Sequence, residues 1–423
     1  MSIAISIQDT ISATESLLAY CRANDWAGHD PYDALNSKLF ERVPFLNSRI
    51  PRLVLTQSLK RSPLDIRWLL AVPKTQNPKA LSLFLTASLK LSRIGFNNCR
   101  PLVRIMIDRL AALRSRGISY WCWGYSFPWQ TRTIVVPTAT PNLVCTTFVA
   151  NSLLDAFEEH QRQECLDMAV SAGEYILNEL YWKDGTSSGF SYPLPSNRGS
   201  VHNANLLGSA LLCRLYGYTG DEKFLHPALE VARYSAGRQS RDGSWAYSEA
   251  PTHAWIDNFH TGYNLLALRS ICQYLNIDEF ESHVRRGFEF YRAHFFRDDG
   301  ATRYFHNRTY PIDIHCTAQS IITLAQLRDL DAYNIELAGS VLRWAMDHMW
   351  DNRGFFYYRV LRSCTIKTSY MRWSQAWMLL ALAEFLSTLR SNTDNKNQTA
   401  IRPSQDTTAR ISSILTHVHS SEK

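Results

Sequence analysis

The sequence predicts an all-α chain closed into an α/α toroid of about five to six helical hairpins. Two observations lead there. An aromatic turn containing glycine precedes a mostly apolar helix five times along the chain, and amphipathic segments fill the intervals between these copies. Helices exposed on one side, alternating with helices buried on most sides, make an outer and an inner ring.

The copies read SRGISYWCWGYSFPWQ then TPNLVCTTFVANSLLDAF; DGTSSGFSYPLP then VHNANLLGSALLCRLY; DGSWAYSEA then WIDNFHTGYNLLALRSI; DDGATRYFHNRTYP then IDIHCTAQSIITLAQL; and DNRGFFYYRVL then YMRWSQAWMLLALAEFL. Their turn glycines, Gly124, Gly189, Gly243, Gly300 and Gly354, stand roughly 55 to 65 residues apart, room for two helices and their loops. Segments Leu166–Leu180, His226–Arg238 and Glu281–Phe295 carry apolar residues at three- and four-residue spacing with charges opposite, as outer helices should. After the third turn, Leu265, Leu268, Cys272 and Leu275 form one apolar stripe and the other side is small or apolar too, which marks an inner helix.

Before the copies, helical patterns at Ile11–Arg22, Leu53–Leu59 and Leu81–Leu91, broken at Pro63 and Pro73, offer a divergent sixth pair. The expected organisation is an N-terminal helical region, 1–100, that joins the toroid; toroid repeats over 101–390; and a flexible polar tail, 391–423, opening SNTDNKNQTAIRPSQ. Hydrophobic content of 45% with 20% charged residues suits a globular protein, and no run reaches the ~18 apolar residues of a membrane span. The N-terminus lacks a basic segment and is interrupted by Gln8, Asp9 and Glu15, unlike a secretory signal. Nine scattered cysteines without a CxxC pair fit reduced thiols, so a cytoplasmic location is expected. The net charge of +7 is spread rather than gathered into basic runs, which argues against nucleic acid; it serves either surface solubility or an anionic ligand.

Aligning the apolar helices places Asn142, Asn203, Asp257, Asp313 and Met371 in one column at their starts. Asn or Asp there caps a helix N-terminus, and for any single copy that suffices. Capping does not ask for histidine, yet His202, His260 and His315 gather at the same ends. A carboxylate beside an imidazole supports proton transfer, so Asp257, His260, Asp313 and His315 are candidate catalytic groups. Glu249 with Asp257 could form the carboxylate pair of glycosidic hydrolysis. Proton abstraction beside a uronate carboxyl would instead use Tyr247, Tyr263 or His260, with Asn203, Asn205 or Arg372 steadying the developing charge. Trp123, Trp245 and Tyr247 offer ring faces for sugar C–H patches, and His202, Asn203, Asn205 and Arg372 offer polar partners, so these are candidate substrate-binding residues. Asp257, His260, Asp313, His315 and Cys316 are admissible zinc ligands, but no CxxC or HExxH anchors them, and no cofactor is expected.

The turn-plus-helix repeat, over roughly residues 119–389, resembles the α/α toroids of glucuronyl C5-epimerases, unsaturated glucuronyl hydrolases, polysaccharide lyases and the terpene cyclase and protein prenyltransferase group. The Thr219-Gly220-Asp221 turn after HNANLLGSALLCRLYGY is similar to an epimerase segment, and AGHDPYDALNS at Ala27 to Ser37 resembles proteins encoded beside surface-polysaccharide genes. The resemblance implies a six-hairpin glycosidase-like enzyme acting as epimerase, lyase or hydrolase on an oligosaccharide or polysaccharide in surface-polysaccharide biosynthesis. Two alternatives stay open: a prenyltransferase or terpene cyclase on an isoprenoid substrate, although no DxDD motif occurs, and a non-catalytic glycan-binding toroid.

Overall fold

A computed structural model describes residues 5–38, 48–130 and 134–398. Among these, six helices form an inner ring: α3 (Pro78–Arg93), α5 (Leu143–His160), α7 (His202–Thr219), α9 (Asn258–Leu275), α11 (Ile314–Gln326) and α13 (Trp377–Gln398). Each packs on the next, and α13 returns to pack on α3, which closes the toroid. The outer ring is α1 (Ile7–Ala23), α4 (Arg100–Ala112), α6 (Gln163–Tyr175), α8 (Glu222–Ala236), α10 (Glu281–Phe295) and α12 (Asn334–Met349). Helices α4, α6, α8, α10 and α12 each lie against the inner helix before them, while α1 lies against the last inner helix, α13. The sixth hairpin is therefore shared between the two ends of the chain. Helix α2 (Arg49–Arg61) stands outside both rings.

Composition explains which helix goes where. In α11 every residue from Ile314 to Ala325 is buried, including Thr317, Ser320 and Thr323. In α10 only Val284, Gly287, Phe288, Phe290, Tyr291 and Phe295 are, and these form the stripe that meets the inner ring. The strands are short: the longest pair joins Tyr181–Asp184 to Ser187–Phe190 across a hairpin, and Ile312–Asp313 pairs with Arg359–Val360. Helix α13 continues to Gln398, and the rest of the tail expected from residue 391 lies outside the described residues.

The turn glycines fall into two kinds. Gly243 has φ +91°, and a Cβ there would stand 2.2 Å from the Arg286 carbonyl of α10, so the turn can press on its outer helix only without a side chain. Gly300 and Gly354 repeat this against Ser340 of α12 and Ser16 of α1. Gly124 and Gly189, grouped with them by the sequence, keep ordinary φ and instead lie against the Thr140 carbonyl and the Trp182 ring.

Candidate active site

Three inner helices are capped by the residues the sequence column names. Asn142 Oδ1 accepts from Cys145 N at 2.9 Å, Asp257 Oδ1 from His260 N at 3.0 Å, and Asp313 Oδ1 from His315 N at 3.0 Å. Asn77 does the same for α3, accepting from Lys79 N at 3.0 Å. Such caps are worth ~1 kcal/mol each and fix where each helix begins.

The second residue of each of the first five inner helices then faces the same space. Those residues are Lys79, Val144, Asn203, Phe259 and His315, with Arg372 in the equivalent place in a wide helical turn, Met371–Ala376, that leads into α13. All six line a cavity of about 420 Å³ at the rim where the inner helices start. The turns supply Tyr32, Tyr125, Tyr192, Tyr247 and His253, and the next positions on the helices add His260, Tyr263 and Trp373. This size, with aromatic walls and a few converging polar groups, is that of a small-ligand site.

Two acid–base units meet there. His260 Nδ1 lies 2.7 Å from Asp257 Oδ2, which also accepts from Trp255 Nε1 at 3.0 Å. The carboxylate is buried, so it fixes the imidazole as the Nδ1–H tautomer and leaves Nε2 as the free nitrogen. His315 Nε2 meets the Tyr263 hydroxyl at 2.7 Å, its ring stacked between Phe259 and Trp377 at 4.5 Å from each. Burial, helped by the nearby cations Lys79 and Arg372, holds His315 well below the usual histidine range, so it is neutral. Burial likewise raises the Tyr263 phenol well above 10, so it keeps its proton.

Two cations reach the cavity. Arg372 is held by Asp30 through bonds of 2.6 and 2.8 Å, with the Tyr125 and Trp373 rings beside its guanidinium. Lys79 Nζ stands 4.2 Å from the Phe148 ring centroid, 5.3 Å from Trp377 and 5.7 Å from Tyr263. Burial, then repulsion from Arg372, lowers its ammonium to about 7.

Of the residues the sequence nominates, His260, Tyr263, His315, Asn203, Tyr247 and Arg372 line this one cavity. Asp257 and Asp313 stand behind it. Asp257 backs His260, whereas Asp313 is occupied by Arg359, Trp373 Nε1 and the His315 amide. Four others pack into the wall: Trp123 donates to Leu110 O, Trp245 to Ser235 O, Asn205 bridges Phe190 N and Ser235 Oγ, and His202 Nδ1 lies 3.4 Å from Ser235 Oγ. Glu249 is exposed and paired with Arg238 at 2.7 Å. Tyr125 and Tyr192, rings of the aromatic turns that the sequence offers as sugar-facing surface, do line the cavity, whereas Lys79, Tyr32 and His253 were not singled out by the sequence. Among the described residues no three His, Cys, Asp or Glu side chains are grouped to hold a metal ion.

His202 has a measurable consequence. Burial pushes it from 6.5 down to about 4, so between those values the unfolded chain binds a proton that the folded one refuses. Stability should be full above pH ~6.5 and fall as pH drops toward 4, by about 3 kcal/mol from this group. Urea midpoints should decline across that window, and His202→Gln should flatten the decline; an unchanged slope would assign the acid sensitivity elsewhere.

No family model matches the chain, and no curated protein does. Solved structures do resemble it. A cellobiose 2-epimerase from Bacillus thermoamylovorans shares 12% identity over 74% of this chain and 89% of that one, with a TM-score of 0.58. A D-mannose isomerase shares 13% over 73% and 86%, TM-score 0.55, and a GH76 α-mannanase from Bacteroides thetaiotaomicron 12% over 75% and 86%, TM-score 0.56. The chain therefore has the six-hairpin α/α-toroid fold found in these carbohydrate-active enzymes.

Proposed function

We propose that this protein is a sugar epimerase or isomerase, which removes a proton from the carbon beside a carbonyl or carboxyl group and returns one without cleaving the chain. The observation that carries this is the division of labour among titratable groups. Histidines and tyrosines face the cavity, while Asp257 and Asp313 cap helices and are paired behind it and Glu249 is paired outside it. Among the described residues, hydrolysis by two carboxylates lacks its pair in this cavity. His260, oriented by Asp257, acts as base; the Tyr263–His315 pair supplies or takes the second proton; Arg372 and Asn203 hold the oxygens on which charge develops. These roles call for no resident metal. Fold relatives named for sugar epimerisation and isomerisation support the substrate class. A surface-polysaccharide role and a cytoplasmic location belong to the same proposal; no helix among the described residues is long and apolar enough to cross a membrane.

A prenyl substrate fits poorly, because Lys79, which has no ion-pair partner among the described residues, and the unpartnered Asn203 Oδ1 and His315 Nδ1 would be buried against hydrocarbon without compensation. The test is incubation of neutral and acidic sugars and oligosaccharides with the protein in D₂O. Deuterium at one carbon without cleavage is expected. New ultraviolet absorbance would replace the proposal with elimination, and new reducing ends with hydrolysis. Binding without any exchange would leave a glycan-binding toroid.

A further inference from the structure

Five cationic side chains are buried among the described residues: Arg67, Lys79, Arg214, Arg359 and Arg372. Four own a carboxylate. Arg67 has Asp33 at 2.8 Å, Arg214 has Asp155 at 2.7 Å and Glu158 at 2.8 Å, Arg359 has Asp313 and Arg372 has Asp30. Among the described residues Lys79 has none within ion-pair distance, and no carboxylate lines the cavity it enters. Its surroundings are the ring faces of Phe148, Trp377 and Tyr263, with Arg372 near enough to repel it and Asp30, already paired with Arg372, attracting it only weakly; it sits in the first turn of α3, where the helix dipole also opposes a positive charge. A buried ammonium in such a place either gives up its proton or meets an anion from outside. Two further buried polar atoms on cavity-lining residues, Asn203 Oδ1 and His315 Nδ1, lack a partner among the described residues, which leaves room for a polar ligand.

We infer that Lys79 is the receptor for a carboxylate on the substrate, and that the substrate is an acidic sugar of the uronate class. This rests on the proposed sugar site and adds the charge its ligand must carry. A carboxylate on Nζ completes the fifth buried ion pair. It also brings the carbon that bears the carboxyl toward Tyr263 and His315, where the ammonium offsets the negative charge that builds on the carboxyl oxygens as the proton leaves.

The pairing makes a pH signature. The free amine loses its proton near pH 7, so an anion that needs the ammonium should bind progressively more weakly above that pH, approaching tenfold per pH unit until the bound-state value is passed. Calorimetric titration with D-glucuronate, D-galacturonate and D-mannuronate against the matching neutral hexoses, at pH 6 and pH 8.5, tests it. At pH 6 at least one uronate should bind ten times or more tightly than its hexose, and the preference should shrink at pH 8.5. Lys79→Met should erase the preference at pH 6 while leaving hexose affinity within about threefold. The pH dependence of the unaltered protein makes the same point should the variant not fold. Hexoses that bind as well as the uronates, or a preference that survives Lys79→Met, would overturn the inference and leave the sugar site standing. Failure of both classes to bind would overturn the site as well.

Discussion

His260→Gln should lower deuterium incorporation into a bound sugar by about 10²- to 10⁴-fold while sugar affinity stays within a few fold. The imidazole is the one cavity group whose tautomer is set by a buried carboxylate at 2.7 Å, so its loss removes proton transfer and little else. Asp257→Asn should act in the same direction but less, because the amide can no longer hold the Nδ1–H tautomer although the ring remains. It should also cost some stability, since the same side chain caps α9 through His260 N. His315→Gln should resemble His260→Gln, with Tyr263→Phe intermediate, because the two side chains share one hydrogen bond and their losses should not add. Nuclear magnetic resonance of the sugar in D₂O, with affinity measured by titration, separates the two parameters. Exchange that persists in both histidine variants would remove these residues from the chemistry.

The ring was legible because burial and periodicity are encoded together. Glu281–Phe295, read from its apolar stripe, is the observed α10 residue for residue, and the inner helices announce themselves by apolar residues on every side. What the sequence blurred is register. The column of helix starts is right at Asn142, Asp257 and Asp313, whose side chains make cap bonds. In the second copy α7 begins after Val201, which makes no side-chain cap, so Asn203 is a cavity residue rather than a helix start. In the last copy the wide turn at Met371–Ala376 shifts the frame by one, which makes Arg372 the equivalent of His315. Lys79 went unseen because its hairpin has no aromatic glycine turn to align on, even though Asn77-Pro78-Lys79 carries the signature of a capped helix start. Glu249, Trp123 and Trp245 illustrate the converse. Residue type and proximity in sequence suggested a cavity, but direction is set by the turn, which sends the carboxylate to Arg238 and Tyr234 and the indoles into the space between the rings.

Asp313→Ala should be the most destabilising single change in the site region. Its Oδ2 accepts from Arg359 Nε at 2.8 Å, and its Oδ1 accepts from Trp373 Nε1 at 2.9 Å and His315 N at 3.0 Å, with the carboxylate fully buried. Removing it leaves the Arg359 guanidinium enclosed between the Tyr358 and Tyr304 rings without a counter-charge, a situation that costs ~3–5 kcal/mol, and takes away a cap worth ~1 kcal/mol. Asp313→Asn should cost less, since the amide oxygen can still accept from His315 N. Removing both charges, as Asp313→Asn with Arg359→Met, should recover much of the loss, because the penalty lies mainly in the orphaned cation rather than in the absent attraction. Glu249→Gln is the control: its pair with Arg238 is open to solvent and should be worth under ~1 kcal/mol. Urea denaturation of the four variants orders them. If Asp313→Ala proves no more costly than Glu249→Gln, the buried pair does not hold the start of α11, and His315 and Trp373 must owe their positions to the aromatic stack alone.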